Sequence, residues 1–567
     1  SGKTTSYGKL ASQASKLPAP DPKSITLKHP KDWKILGKSP RRLDTAPKVN
    51  GSLKYGIDTV LPGMQYAAIK ACPVFGGKLV SFDASKISSR RGIKAVVRVD
   101  DQSVAVLADS FWRAKSALEV LPITWDFGAN GNESSAAIAA RLKEGLTSTN
   151  NVFADIDQGD VGQAIQGAAK KIEAVYGTPF VSHACMEPMN CTARVTADRA
   201  EVWVPSQNAE ASLAALAAVT GLPLEKCEAY NPPLGGGFGR RGGTQDYVRQ
   251  AALIAKQFPG TPIKLIWTRE EDMTHDYFRP IGQCRLVAGI DAKGEMVGLH
   301  LRVSGQSINA YVSPHNIVDG KDRRQLQGYW KDPGESQLGY TVPNLRVEYA
   351  MRNTHVPVGP WRGVNTNQNA IYLECFMDEV ARAAGKDPLA FRRSLIKNHP
   401  KHLGVLDAVA DKGGWDKPLA PKMFRGIAQF MGYGSYTAAI AEVSIKGNDV
   451  KVHRLVLATN CGHAVNPVQI ASQIEGSVAY GMDSLQSESS VKDGRIVEKN
   501  FDTYPIARMY QMPKIESVIA PTYDFWGGVG EPTICVVAPA ILNAIAAARG
   551  GKPVRMLPLK NEGLRLV

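Results

Sequence analysis

Close cysteine pairs are the first thing this sequence lacks. Its eight cysteines, at 72, 185, 191, 227, 284, 375, 461 and 535, contain no Cys-x-x-Cys spacing, the arrangement by which zinc and iron–sulfur centres are usually gripped. The chain is therefore expected to carry no iron–sulfur cluster of its own, and Cys185 and Cys191 read as small buried hydrophobes. Long apolar runs are missing too. No stretch approaches the roughly 18 residues a membrane helix needs, so no span is expected. The formal charge is +15 and the pI about 9.3. The basic pairs Arg41-Arg42, Arg90-Arg91, Arg240-Arg241 and Arg323-Arg324 are scattered, with no basic helix and no interleaved aromatics, which argues against nucleic acid. An initiator Met and a signal-peptide pattern are absent from Ser1-Gly2-Lys3, so a processed, separated or trimmed chain is expected.

What is present suits a multidomain globular chain. Hydrophobic residues make up 44% and charged residues 21% of 567, ordinary values for a length that needs more than one core. Residues 1–40, rich in Lys, Pro and Ser with one helical pattern from Tyr7 to Leu17, read as an extended linker. Residues 41–127 read as a small α/β domain, with apolar runs at 65–70, 95–99 and 103–107 and a helix over 111–119. A Gly/Asn/Ser-rich loop at 128–135 opens a main body over 128–420, with a strand at 200–204 and helices over 209–220 and 368–384. A break near 412–424 precedes a last region, 421–567, with strands at 438–445 and 450–459 and helices over 467–480 and 538–549. No internal repeat is found.

Two segments carry the chemistry. Leu234-Gly235-Gly236-Gly237-Phe238-Gly239-Arg240-Arg241 places four glycines around one aromatic, letting backbone approach a bulky ligand and offer it N–H groups. Taken alone, it is equally an ordinary Gly-rich turn, and its spacing fits neither a Walker nor a Rossmann fingerprint. Gly527-Gly528-Val529-Gly530-Glu531-Pro532 sets a carboxylate in a glycine loop just ahead of an apolar helix. Glu531 there suits general-base work, though a helix-start carboxylate explains it as well.

In this order the segments resemble the large, molybdopterin-binding subunit of the xanthine oxidase and aldehyde oxidoreductase family, and within it the branch similar to isoquinoline 1-oxidoreductase beta subunits. Arg42-Leu43-Asp44 through Tyr55-Gly56-Ile57-Asp58 resembles the start of that family's hammerhead domain. Then come His183-Ala184-Cys185-Met186-Glu187-Pro188, Ser206-Gln207-Asn208, the glycine loop, Trp361-Arg362-Gly363, Asn466-Pro467, Gln473-Ile474-Glu475-Gly476 and Gly530-Glu531-Pro532. The resemblance implies an α+β fold: a hammerhead domain at 41–127 and two mixed α/β molybdenum-cofactor domains at 128–420 and 421–567. It implies a molybdenum–pterin cofactor, in the cytosine dinucleotide form, with no protein ligand to the metal. Gln207 would hydrogen-bond an oxygen on the metal, and Gly237, Phe238, Gly239 and Arg240 would line the cofactor. Arg362 and Gln473 would hold the pterin, and Glu531 would be the catalytic base. A structural ion pair for Arg362 and a surface turn for Gln207 stay open as alternatives.

The implied reaction hydroxylates an electron-poor carbon of an N-heteroaromatic compound, with water as oxygen donor and electrons leaving to an iron–sulfur subunit and onward to a cytochrome c. Aldehyde oxidation at the same site, and a non-catalytic scaffold subunit, are the alternative readings. Gly242 stands where purine-oxidising members carry a substrate-gripping Glu, which argues against purines. The family's Gly-Gln-Gly segment is missing where Gly432-Tyr433-Gly434-Ser435-Tyr436 runs almost directly into the next strand, so a separate chain or fragment is expected to supply it. In the isoquinoline-oxidoreductase-like branch an export signal is common, so the periplasm is the expected compartment and the cytoplasm the alternative.

Overall fold

The computed structural model describes residues 4–330 and 337–567; the first three residues of the expected linker lie outside it. The apolar run Ser103–Ala108 is a strand buried at every position, as a continuous hydrophobic stretch with both faces covered should be. It pairs antiparallel with Gln65–Ala71 on one side and Ile93–Arg98 on the other, and the helix Phe111–Leu118 covers it with Ala114, Ala117 and Leu118. The sheet does not stop at residue 127. Gln65–Ala71 pairs parallel with Ile263–Ile266, and the order continues through Asn190–Val195, Ala200–Trp203 and Cys227–Tyr230 to make seven strands. The expected hammerhead region and the region after it thus share one hydrogen-bonded sheet.

A second sheet of five strands has the order Val152–Gln158, Asn344–Met351, Met296–Gly305, Gly282–Ile290, Lys170–Thr178. A third orders Phe424–Gly432, Ser435–Lys446, Asp449–Asn460 and Lys514–Ile519. One hydrophobic core spans the second and third sheets, from Ile156 to Leu566, and several helices contribute to it, three of which carry or adjoin residues of the site. Val364–Ala383 begins earlier than the periodicity predicts because its first turn is polar, Asn365-Thr366-Asn367, yet buried. The helix Pro467–Gln486 starts with proline at its first position and Asn466 capping the Gln469 N–H at 3.3 Å, the arrangement expected of a helix start. The helix Ile534–Ala548 contains Pro539, and this interior proline hides its true beginning in the sequence.

Glu374 ties these elements together. Fully buried, it pairs with Arg392 at 2.9 Å, accepts from the Tyr340 hydroxyl at 2.6 Å and from the Gln429 N–H at 3.0 Å. Asn543 on the closing helix donates to the Glu374 carbonyl at 3.2 Å and to Ile427 at 2.9 Å. The linker is largely exposed but is tethered at one point: Trp33 packs on His463, Tyr523 and Trp526, and the Gly37 N–H donates to the Val465 carbonyl at 2.8 Å.

Removing one partner of a buried ion pair strands the other. Glu374→Ala is expected to cost about 3–5 kcal/mol, measured as a fall in denaturation midpoint; a change within 1 kcal/mol would show that Arg392 finds another partner.

Candidate functional site

The glycine loop meets the turn before the 364–383 helix at unusually short range. A Cβ on Gly239 would stand 1.5 Å from the Pro360 carbonyl oxygen, and Gly239 has φ +111°, so only glycine serves there. Beneath this contact lies a buried polar network. Asp276 binds the Arg240 Nε at 3.0 Å and the His183 Nδ1 at 2.9 Å, while the His183 Nε2 faces the Pro360 carbonyl at 3.2 Å. Burial opposes ionisation of Asp276, but His183 and Arg240 outweigh it and hold the carboxyl at about 2. Arg240 also pairs with Asp246 at 2.7 Å and is 1% exposed. This corrects the expectation that Arg240 lines the cofactor: its side chain is committed to carboxylates under the loop.

Above the network opens a cavity of about 580 Å³, lined by residues far apart in sequence: Gln207, Phe238 and Gly239; Arg324; Pro360, Arg362 and Val364; Tyr433; Ser472, Gln473 and Gly476; Gly530 and Glu531. Six of the eight residues expected to form the site therefore share one chamber. Gly237 is not among them; a Cβ there would meet Gln207 Oε1 at 2.4 Å, so it acts by leaving room for Gln207. The Gln207 Oε1 accepts from the Gly239 N–H at 3.0 Å and the Arg241 N–H at 3.4 Å. Two backbone donors on the oxygen orient the amide, leaving Nε2 as the donor Gln207 offers to a ligand. The Gly239 N–H, expected to point at the cofactor, is used on Gln207.

Arg362 is held from three sides. Its Nε donates to the Gly530 carbonyl at 2.7 Å, and Nη2 to the Gln473 Oε1 at 3.0 Å and the Ser477 hydroxyl at 3.2 Å. Burial lowers the Arg362 pKa from its usual value, against the pull of Tyr480 and Glu531. Glu531 accepts the Gly363 N–H at 3.2 Å, and the loop before it is pinned by Gly528 N–H to the Tyr433 carbonyl at 2.8 Å and by the Ser435 hydroxyl to the Gly528 carbonyl at 2.6 Å. Phe238, Val364 and Tyr433 all line the cavity with positive φ, at 54°, 47° and 53°, a conformation side chains of this size rarely adopt and which clusters at functional sites.

Sequence reasoning missed Arg324 and Tyr433. Arg324 is placed by the polar first turns of the 364–383 helix: Asn365 donates to its carbonyl at 3.0 Å, and Asn369 to the Gln325 and Gln327 carbonyls at 2.9 Å. The unusual run of asparagines was the available signal. Arg324 also lines a second cavity of about 670 Å³. On the other side Phe238 lines a smaller chamber of about 260 Å³ with Trp361, Tyr480, Tyr504 and Asp483, where Tyr480 stacks on Phe238 and on Trp361, each at 4.3 Å. Burial pushes Asp483 up to about 7.

The cavity can hold a molybdenum–pterin group. Glu531 is its one carboxylate, and no His or Cys lines it, so a redox metal acting here arrives on a ligand of its own. Arg362, Gln473 and the Gln207 amide supply donors for such a ligand's heteroatoms, and on the glycine-loop wall Phe238 is the side chain beside the bare backbone of Gly239.

Two outcomes follow. Gly239→Ala should destabilise the fold by at least about 3 kcal/mol, or expel the cofactor, read as melting temperature and molybdenum content; unchanged values for both would refute the close contact. The neutral form of Asp483 is favoured on folding, so stability falls as pH rises from about 4 to 7 and then levels. Asp483→Asn should therefore raise stability more at pH 8 than at pH 5, by roughly 1–3 kcal/mol, read from thermal melts at the two pH values; an equal effect at both would show the carboxyl to be ionised throughout.

Comparison with known proteins agrees with this geometry. Residues 145–396 and 409–513 each match a molybdopterin cofactor-binding domain, together well over half of the chain. The chain is 28% identical to the isoquinoline 1-oxidoreductase subunit beta of Brevundimonas diminuta, over 95% of this chain and 70% of that one. It is 29% identical to a membrane-bound aldehyde dehydrogenase [pyrroloquinoline-quinone] of Gluconacetobacter polyoxogenes, over 99% and 76%. In fold it resembles quinoline 2-oxidoreductase from Pseudomonas putida 86, with a TM-score of 0.77 at 14% identity over 94% of this chain and 98% of that one. No helix among the described residues is long and apolar enough to cross a membrane. The chain belongs to the xanthine oxidase family of molybdenum-dependent oxidoreductases, as a molybdopterin-binding large subunit.

Proposed function

We propose that this chain hydroxylates an electron-poor carbon of an N-heteroaromatic compound, with water as the oxygen source, and passes the electrons to an iron–sulfur partner. The observation that carries the reading is the cavity in which Glu531, Arg362, Gln473, Gln207 and Phe238 meet. The bound cofactor would supply an oxygen derived from water and accept two electrons per turnover. The net change is R–H plus water to R–OH, two protons and two electrons.

The protein's share is orientation and proton handling. Glu531, held by the Gly363 N–H through one oxygen, takes the proton from the attacking oxygen with the other. Arg362 and Gln473 would hold the pterin, and the Gln207 amide would donate a hydrogen bond to the bound cofactor. Aromatic walls at Phe238 and Tyr433 suit a flat ring. Arg324, which has no ion pair among the described residues, suits a ring bearing a carboxylate. Aldehyde oxidation is the second reading, favoured by the relative named an aldehyde dehydrogenase and by the same electrophilic-carbon chemistry.

Several finer features belong to the same proposal. A dinucleotide pterin, in the cytosine form, suits a protein of charge +15. The hairpin that closes in two residues at Tyr433-Gly434 leaves no room for an inserted pterin-wrapping segment, so a separate polypeptide segment would complete the cradle. Electrons would leave through iron–sulfur centres on another subunit and reach a cytochrome c.

Glu531→Gln should lower turnover by at least about 100-fold while molybdenum and pterin content stay at wild-type levels; near-normal activity refutes the role. A panel of azines and aldehydes with a dye acceptor separates the two substrate readings.

A further inference from the structure

Tyr433 occupies a costly position. Phe424–Gly432 and Ser435–Lys446 pair with Gly432 opposite Ser435, so Tyr433-Gly434 is a two-residue hairpin loop, and both residues have positive φ, 53° and 73°. Loops of this kind favour Asn-Gly or Gly-Gly, because the first place penalises a bulky side chain. An Asn there would keep the hairpin and relieve the strain. Tyrosine instead sends a phenol into the cavity that holds Glu531.

The hydroxyl itself is loosely held. It is shielded from water, its hydrogen-bonding neighbour is the Gln327 side chain, and neither the hydroxyl nor the Gln327 Oε1 makes a bond of good geometry. A buried hydroxyl without a well-formed hydrogen bond is costly, so strain and desolvation are both concentrated in one side chain. Burial, and then the Glu531 carboxylate, raise the phenol's pKa well above its ordinary value, against smaller opposing pulls from the Gln327 side chain and Arg324. It therefore stays protonated and remains a donor. Its surroundings place it on the substrate side: Arg324 lines both this cavity and the 670 Å³ cavity, and Gln327 lines the latter, whereas the groups assigned to the pterin, Gln473 and Arg362, sit against the 467–486 helix.

We propose that the Tyr433 hydroxyl donates a hydrogen bond to the ring nitrogen next to the carbon that is hydroxylated. This rests on the N-heteroaromatic reading above. As the oxygen adds to carbon, the electron pair of the C=N bond moves onto nitrogen, and a donor at that nitrogen is worth more in the transition state than before it. When the product forms, the pair returns to the C=N bond and the C–H bond breaks, its hydrogen leaving with the bonding electron pair, which the bound cofactor would accept. Tyr433 keeps its proton throughout. Glu531 handles the oxygen's proton, and Tyr433 marks which carbon is attacked, the one adjacent to nitrogen.

The test uses the assembled holoenzyme. Tyr433→Phe should lower kcat/KM for azines by about 10- to 100-fold with molybdenum content unchanged. A second readout needs no turnover: dissociation constants for an azine blocked at its reactive carbon and for its carbocyclic isostere. Wild type should prefer the azine at least tenfold, and Tyr433→Phe should lose that preference, which a merely structural role would not touch. Should the Phe variant fail to assemble, 3-fluorotyrosine at 433, of similar shape and a stronger donor, should widen the preference; no widening overturns the assignment. A wild-type enzyme that turns over azines while Tyr433→Phe keeps both rate and preference overturns the Tyr433 assignment alone. A wild-type enzyme that oxidises no azine overturns the substrate reading and this one with it.

Discussion

The closeness of two backbones, Gly239 against the Pro360 carbonyl, sets the geometry on which everything else in the cavity depends. A side chain at 239 would push apart the loop that carries Phe238 and the turn that leads into Arg362. The contact brings polar backbone together with little water to screen it, and the buried Arg240–Asp276–His183 chain is what keeps it in register. A buried polar network specifies one arrangement more strictly than apolar packing does, and here Asp276 hydrogen-bonds His183 while its contact with the Arg240 Nε is an ion pair without hydrogen-bond geometry. Rigidity at this seam is transmitted directly: the Gly239 N–H orients Gln207, and the residues after Pro360 orient Arg362 and, through the Gly363 N–H, Glu531.

Elements with a strong period were readable from sequence, and so were side chains embedded in distinctive short motifs. The 209–220 helix runs from Asn208 as cap to Gly221 in the left-handed conformation, as its alanine-rich pattern and flanking residues indicate. Gln207, Phe238, Arg362, Gln473 and Glu531 converge on one cavity, and each lies in or beside a short segment distinctive enough in sequence to be picked out. Arg240 was misplaced for a physical reason. A guanidinium beside a glycine loop has the same local sequence whether it faces a ligand or a carboxylate beneath, and the deciding partner, Asp276, is 36 positions away. The seven-stranded sheet was hidden likewise, since a parallel pairing between 65–68 and 263–266 leaves no local trace.

Tyr433 and Arg324 show a further limit. Neither belongs to a motif, and each reaches the cavity through backbone held by other elements: a two-residue hairpin for one, the asparagines of the 364–383 helix for the other. The sequence does contain a mark of each, a tyrosine where a tight hairpin wants asparagine and a polar turn that is buried. Both are local preferences overridden at a cost, and such violations are expected to gather at functional sites.

Charge explains how one cavity serves both cofactor and substrate. Its ionisable lining is two guanidiniums and one carboxylate. Arg362 is already satisfied by Gly530, Gln473 and Ser477, so it meets a ligand as an oriented, partly desolvated cation, which favours binding by pre-organisation rather than by rearrangement. Arg324 has no such ties and stays available to whatever enters through the neighbouring cavity. Glu531 lies where the glycine loop meets the helix that follows, fixed by one oxygen and free at the other. For the base proposed at that position no metal ligation is needed: it would only have to be held near the proton it removes, and the seam between Gly239 and Pro360 holds the side chain in place.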